Sequence, residues 1–80
     1  MPLETIYMLA KVEASHANDL LGRISKVEGV KFAHAVTGSY DMLISLEGNN
    51  LAKLLSKALK EISGLDGIKS TETLIAINID

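Results

Sequence analysis

The chain has 80 residues, 48% of them hydrophobic, with a formal net charge of −2 and no cysteine. That length makes one small domain near the lower limit for a single core, and with one Phe, two Tyr and no Trp the core has to be aliphatic. The charge argues against a binder of phosphate backbones, the absent cysteines remove disulfide frameworks and thiolate metal sites, and no apolar run approaches the ~18 residues of a membrane span. Met1-Pro2-Leu3 has neither the basic start nor the apolar run of a signal peptide, so the expectation is a soluble cytoplasmic domain covering residues 1–80.

Residues 4–12 read as a first strand, with Ile6, Met8, Ala10 and Val12 on one face and Thr5, Tyr7, Leu9 and Lys11 on the other. Ser15 is the expected N-cap of a helix whose apolar stripe is Ala17, Leu20, Leu21, Ile24 and Val27, with Asp19 near the positive end of its dipole. Gly29 is the natural residue to stop it. Residues 30–37 and 41–47 form the next two strands, joined through Gly38-Ser39. Gly at the first of two loop positions fits a type II′ turn, which needs φ > 0 there. After Gly48, Asn49 and Asn50 offer caps for a second helix, whose stripe is Leu51, Leu54, Leu55, Ala58, Leu59 and Ile62 and which Gly64 ends. A last strand runs from Ile68 to about Ile79.

The order β-α-β-β-α-β contains a weak repeat. Val27-Glu28-Gly29-Val30 matches Leu65-Asp66-Gly67-Ile68 in type, and the same offset lays Ile6 over Ile44, Leu21 over Leu59 and Ile24 over Ile62. Two β-α-β halves with right-handed crossovers imply an α+β, ferredoxin-like sandwich: a four-stranded antiparallel sheet with two helices on one face.

Two helices cover one face, yet both faces are apolar. An even-numbered hairpin loop puts Ala33, Ala35, Thr37, Tyr40, Met42, Ile44 and Leu46 on one side, and Val30, Phe32, His34, Val36, Asp41, Leu43 and Ser45 on the other. In the last strand Thr71, Thr73, Ile75, Ile77 and Ile79 alternate with Leu74 and Ala76. A half-exposed antiparallel sheet ordinarily alternates apolar with polar, and a large apolar patch marks an interface. The expectation is a homodimer formed sheet to sheet or through strand edges; a few scattered exposed aliphatics on a monomer are the bland alternative.

The chemical inventory is thin. His16 and His34 are isolated, Ser39 has no histidine signature beside it, and the acidic residues are dispersed. A copper-chaperone version of the fold needs Cys-x-x-Cys, an RNA-recognition version needs more stacking aromatics than Phe32, and no glycine-rich phosphate loop is present. The chain therefore reads as a non-enzyme without cofactor or metal. Polar groups gather at Thr37, Gly38, Ser39, Tyr40 and Asp41, and at Ser70, Thr71 and Thr73. Backbone N–H groups of the glycine turn suit a carboxylate and Asp41 an ammonium, as a zwitterionic amino acid would require. On composition alone the plainer reading stands beside it: Gly-Ser makes the turn, Asp41 caps it and the threonines favour strand.

Val27-Glu28-Gly29-Val30, Val36-Thr37-Gly38-Ser39-Tyr40-Asp41, the Leu-x-x-Leu-Leu helix and Gly67-Ile68 with Thr71-x-Thr73 resemble the effector-binding (RAM) domain of the Lrp/AsnC transcription regulators, across essentially the whole chain. The resemblance implies dimers that assemble into rings, commonly octamers, with small effectors, typically amino acids, bound between dimers near the Gly-x-Tyr-Asp turn. It points to Gly38, Ser39, Tyr40 and Asp41, and less directly to Thr37, Ser70 and Thr71. Relatives carry a helix-turn-helix domain first, whereas this chain begins at its first strand, so it looks like a stand-alone module that binds no DNA itself and co-assembles with full-length regulators. Competing readings are a structural assembly module without ligand, an ACT-type regulatory subunit, and, more remotely, a small dimeric enzyme using His34.

Overall fold

Residues 3–77 are described by the computed structural model of the chain. Strand β1 (Glu4–Val12) leads through a 3-10 turn (Ala14–His16) into helix α1 (Ala17–Ser25). Strands β2 (Val30–Ala35) and β3 (Met42–Gly48) follow, then α2 (Leu51–Lys57), which passes directly into a π-helical segment (Ala58–Ile62), and β4 (Ile68–Ile75). The sheet has the order β2-β3-β1-β4, and each pairing is antiparallel. This is the ferredoxin-like sandwich that the period-two strands and 3.6-period helices imply. The last strand, expected to reach about Ile79, stops at Ile75; Ala76 and Ile77 are not part of it, and Asn78 and Ile79 lie outside the described residues.

The core forms where the alternation says it should. Ile6, Met8, Ala10 and Val12 of β1 and Met42, Ile44 and Leu46 of β3 meet Leu20 and Ile24 of α1, Leu54 of α2 and Ala58 and Ile62 of its π-helical continuation, all buried. The internal repeat extends to backbone geometry. Gly29 and Gly67 have φ of +96° and +97°. Val30 N donates to Val27 O at 3.1 Å, and Ile68 N donates to Leu65 O at 3.2 Å. Each glycine carbonyl accepts from the strand that its own strand pairs with, Glu47 N to Gly29 O and Glu13 N to Gly67 O, both at 2.8 Å. Gly67 has a second reason to be glycine: a Cβ there would stand 2.7 Å from His16 Cβ.

Four details differ from the sequence-based expectations. Ser15 does not cap α1; it lies inside the 3-10 turn, and its hydroxyl is 3.3 Å from His16 Nδ1. Asn50 does cap α2, as expected, its Oδ1 accepting from Lys53 N at 3.0 Å. Leu59 leaves the apolar stripe and is 65% exposed, while Ala58 and Ile62 of the same π-helical segment stay on the core. The strand ends also shift, β2 stopping at Ala35 and β3 starting at Met42.

The fourth difference is the central hairpin. The β2–β3 register is the expected one from Phe32 to Ala35, with Ala35 opposite Met42 and Ala33 opposite Ile44, but it shifts between Val30 and Phe32, so that Val30, expected beside Phe32 and His34, lies opposite Leu46 and packs against the core. A tight II′ turn at Gly38-Ser39 does not form. Pairing ends with Val36 N donating to Asp41 O at 2.9 Å, leaving Thr37, Gly38, Ser39 and Tyr40 as a wider loop. Gly38 still has positive φ, +119°.

Candidate functional site

The open loop redirects Tyr40. Strict alternation places it on the helix-covered face, but its side chain crosses to the other, uncovered face and its hydroxyl donates to Glu72 Oε1 of β4 at 2.6 Å. Lys11 Nζ lies 5.7 Å from the Tyr40 ring centroid, a cation–π distance. Lys11 pairs with Ser70 and Leu9 with Glu72, so Lys11, Ser70 and Glu72 share one side of the sheet. The hydrogen bond to Glu72 holds the Tyr40 phenol above its ordinary pKa, with desolvation and the nearby carboxylate charge acting in the same direction.

Asp41 is the knot of the hairpin. Its carboxylate Oδ2 accepts from Val12 N at 3.0 Å, its own N–H donates to Ala10 O at 2.9 Å, and its carbonyl receives Val36 N. The β1–β4 register slips between Lys11 and Val12, and the Asp41 carboxylate receives the Val12 N–H beside this irregularity. One carboxylate oxygen is thus already engaged.

Around these two anchors the loop stands open. Among the described residues no backbone hydrogen bond is made by Thr37, Gly38, Ser39 or Tyr40, and a Cβ built on Gly38 meets nothing within 4 Å. The loop therefore offers unpartnered N–H groups to an anion, with the Glu72 carboxylate close by for a cation. Of the residues expected here, Thr37, Gly38, Ser39, Tyr40 and Asp41 are together and Ser70 lies beside Lys11. Thr71 does not join them: it faces the helices, its hydroxyl 3.2 Å from that of Ser63. Lys11 and Glu72 were missed. Alternation alone places both on the uncovered face, but bringing them to Tyr40 needs the β1–β4 register and the widened loop.

The rest of the uncovered face is largely apolar. Phe32, Val36, Leu9 and Leu43 are half-buried, Tyr7 is 36% and Leu74 43% exposed, and Ser45 is buried among them. A separate cavity of about 270 Å³ lies at the opposite end of the sheet, where Gly29 and Gly48 meet Asn50, Lys53, Leu54 and Lys57. Its charges are largely matched internally: Lys57 Nζ is 3.4 Å from both Glu28 and Glu61, and Lys31 is 3.0 Å from Glu47. Burial works to lower the Lys57 pKa, but the hydrogen bond to Glu28 and the pairing with Glu61 outweigh it, so the ammonium is held above its ordinary value. Among the described residues no group of three or more His, Asp or Glu side chains is placed to hold a metal ion, and no helix is long and apolar enough to cross a membrane.

Known proteins share this fold. The profile of the Lrp/AsnC ligand binding domain matches residues 5–79. The HTH-type transcriptional regulator LysM of Sulfurisphaera tokodaii is 33% identical over 57 residues, 71% of this chain and 40% of that regulator, so the chain spans well under half of it. Among solved structures, TTHA0845 from Thermus thermophilus superposes with a TM-score of 0.88 at 25% identity, covering 96% of each chain. The regulator NMB0573 from Neisseria meningitidis, solved as a complex with L-Met, shares the fold at 13% identity with a TM-score of 0.82, over 94% of this chain and 50% of that one. A match running over nearly every residue, from the first strand through the last, places this chain in the Lrp/AsnC family as an Lrp/AsnC ligand-binding domain.

Proposed function

We propose that the chain is a non-enzymatic effector-binding module that senses an amino acid at the 37–41 hairpin loop and passes the signal on through its assembly with other subunits. The observation that carries this reading is the loop itself, open and unpartnered between two anchored residues, Tyr40 on Glu72 and Asp41 on Val12 N–H. An effector carboxylate meets the free N–H groups of Thr37, Gly38, Ser39 and Tyr40, and its ammonium group meets the carboxylates of Glu72 and Asp41. Ser70 borders the same surface, whereas Thr71, turned to the helices with its hydroxyl beside that of Ser63, is not part of the site. L-Met, found in complex with the Neisseria relative, belongs to the same chemical class.

A loop on one small sheet is too open to enclose a ligand, so a neighbouring subunit supplies the remaining wall. The apolar uncovered face provides the means: two copies associate there as a homodimer, and dimers join into a ring of the octamer type. A standard interface buries ~800 Å² per partner. Full-length Lrp/AsnC regulators are the natural partners for mixed assembly, and the signal reaches transcription through them in the cytoplasm.

Thermal unfolding against each amino acid at millimolar concentration tests the sensor. A ligand at ~100 times its dissociation constant adds about 2.7 kcal/mol, a shift of roughly ten degrees or more in a domain this small. At least one amino acid is expected to raise Tm, and Gly38→Val to abolish the response. No shift with any amino acid removes the sensor role. A second reading, a purely structural assembly module, is favoured by the engagement of the Asp41 carboxylate with Val12 N–H; it predicts co-assembly with a full-length regulator that amino acids leave unchanged.

A further inference from the structure

One ionisable side chain on the uncovered face, the His34 imidazole, takes no part in the hairpin site. His34 of β2 lies opposite Leu43 of β3; Leu43 pairs with Leu9 of β1, and Leu9 with Glu72 of β4. Its imidazole stacks on Phe32, ring centroids 4.7 Å apart and planes 27° from parallel. The side chain is exposed in the single chain, and among the described residues it makes no hydrogen bond or ion pair.

We propose that protonation of His34 drives apart the copies of this chain that associate through the uncovered face, making the assembly acid-sensitive. The proposal rests on the sheet-to-sheet association put forward above. A neutral imidazole stacked on Phe32 beside Leu43 can be covered by a second copy, but covering an imidazolium removes a charge from water. Its own sheet offers little compensation. On β1 the titratable groups of this face are Tyr7 and Lys11, neither an anion near neutral pH. Asp41, just before β3, turns its carboxylate to Val12 N–H of β1, Glu47 at the far end of β3 pairs with Lys31, and Glu72 stands on β4, at the opposite edge of the sheet from β2. The two-fold symmetry of a face-to-face dimer buries the same group twice.

Sedimentation equilibrium of the whole chain near pH 7.5 and near pH 5.5, about one unit either side of the ordinary imidazole value of about 6.5, tests this. The wild-type dimer dissociation constant is expected to rise by up to about 100-fold at the lower pH, about tenfold for each of two imidazoles. His34→Gln is expected to hold its affinity across the range. His16→Gln, altered in the 3-10 turn of the helical layer, keeps the wild-type response. A wild-type dimer with equal affinity at both pH values overturns the proposal, as does tighter association in acid or a response that survives in His34→Gln. A monomer at both pH values refutes the association itself, a different failure that removes both readings together.

Discussion

Asp41 and Tyr40 are adjacent in sequence and do different work. The Asp41 carboxylate receives a backbone N–H that the slipped β1–β4 register leaves to it, so Asp41→Ala orphans Val12 N–H and is expected to cost about 1–2 kcal/mol in denaturant unfolding. Asp41→Asn keeps an acceptor and recovers most of that loss; an Asn variant as unstable as the Ala variant would contradict the assignment. Tyr40 acts through its hydroxyl. Because the bond to Glu72 raises its pKa in the folded chain, the stabilisation is complete below the ordinary phenol value of 10.0 and fades as pH rises through the higher folded value. Lys57, also raised, loses its contribution in the same direction above 10.5. Absorbance titration is expected to show a phenol ionising above 10.0 that Tyr40→Phe removes. At Gly67 the left-handed backbone and the 2.7 Å approach of His16 Cβ act together, so Gly67→Ala is expected to cost at least about 2 kcal/mol. Gly38→Ala, with φ of +119° but open space around it, is expected to cost about 1 kcal/mol. Equal costs at the two positions would contradict the packing argument.

At the scale of elements, periodicity carried the strands and helices because burial enforces it. Ile6, Met8, Ala10 and Val12 alternate for one reason only, that the helices cover one side of β1. The hairpin register was legible for the same reason, since Met42, Ile44 and Leu46 had to face the core. Its turn type was not. A Gly-Ser pair is compatible with several loops, and the outcome depends on Asp41 finding Ala10 O and Val12 N–H on a strand distant in sequence. Lys11 and Glu72 stayed hidden on the same account, because only tertiary pairing brings them to Tyr40. The π-helical segment was likewise illegible: Leu59 fits an α-helical stripe, and the extra residue in the turn appears only once Ala58 and Ile62 are seated on the core. Leu59→Lys is therefore expected to change stability by less than about 0.5 kcal/mol, whereas Ile62→Ala costs about 2–5 kcal/mol.

For the whole molecule, the uncovered face joins the account of residues to the account of function. The helices bury one side of the sheet and leave Tyr7, Leu9, Phe32, Leu43 and Leu74 on the other, with the hairpin loop at the rim. On the proposed reading, a second copy laid on that face would remove the apolar surface from water and provide the surroundings in which an open loop could hold a small zwitterion. The most direct test is the mass of the chain in solution at micromolar concentration, with and without amino acids. The account predicts a dimer or larger assembly whose size distribution shifts with at least one amino acid; a monomer that no amino acid changes would contradict it.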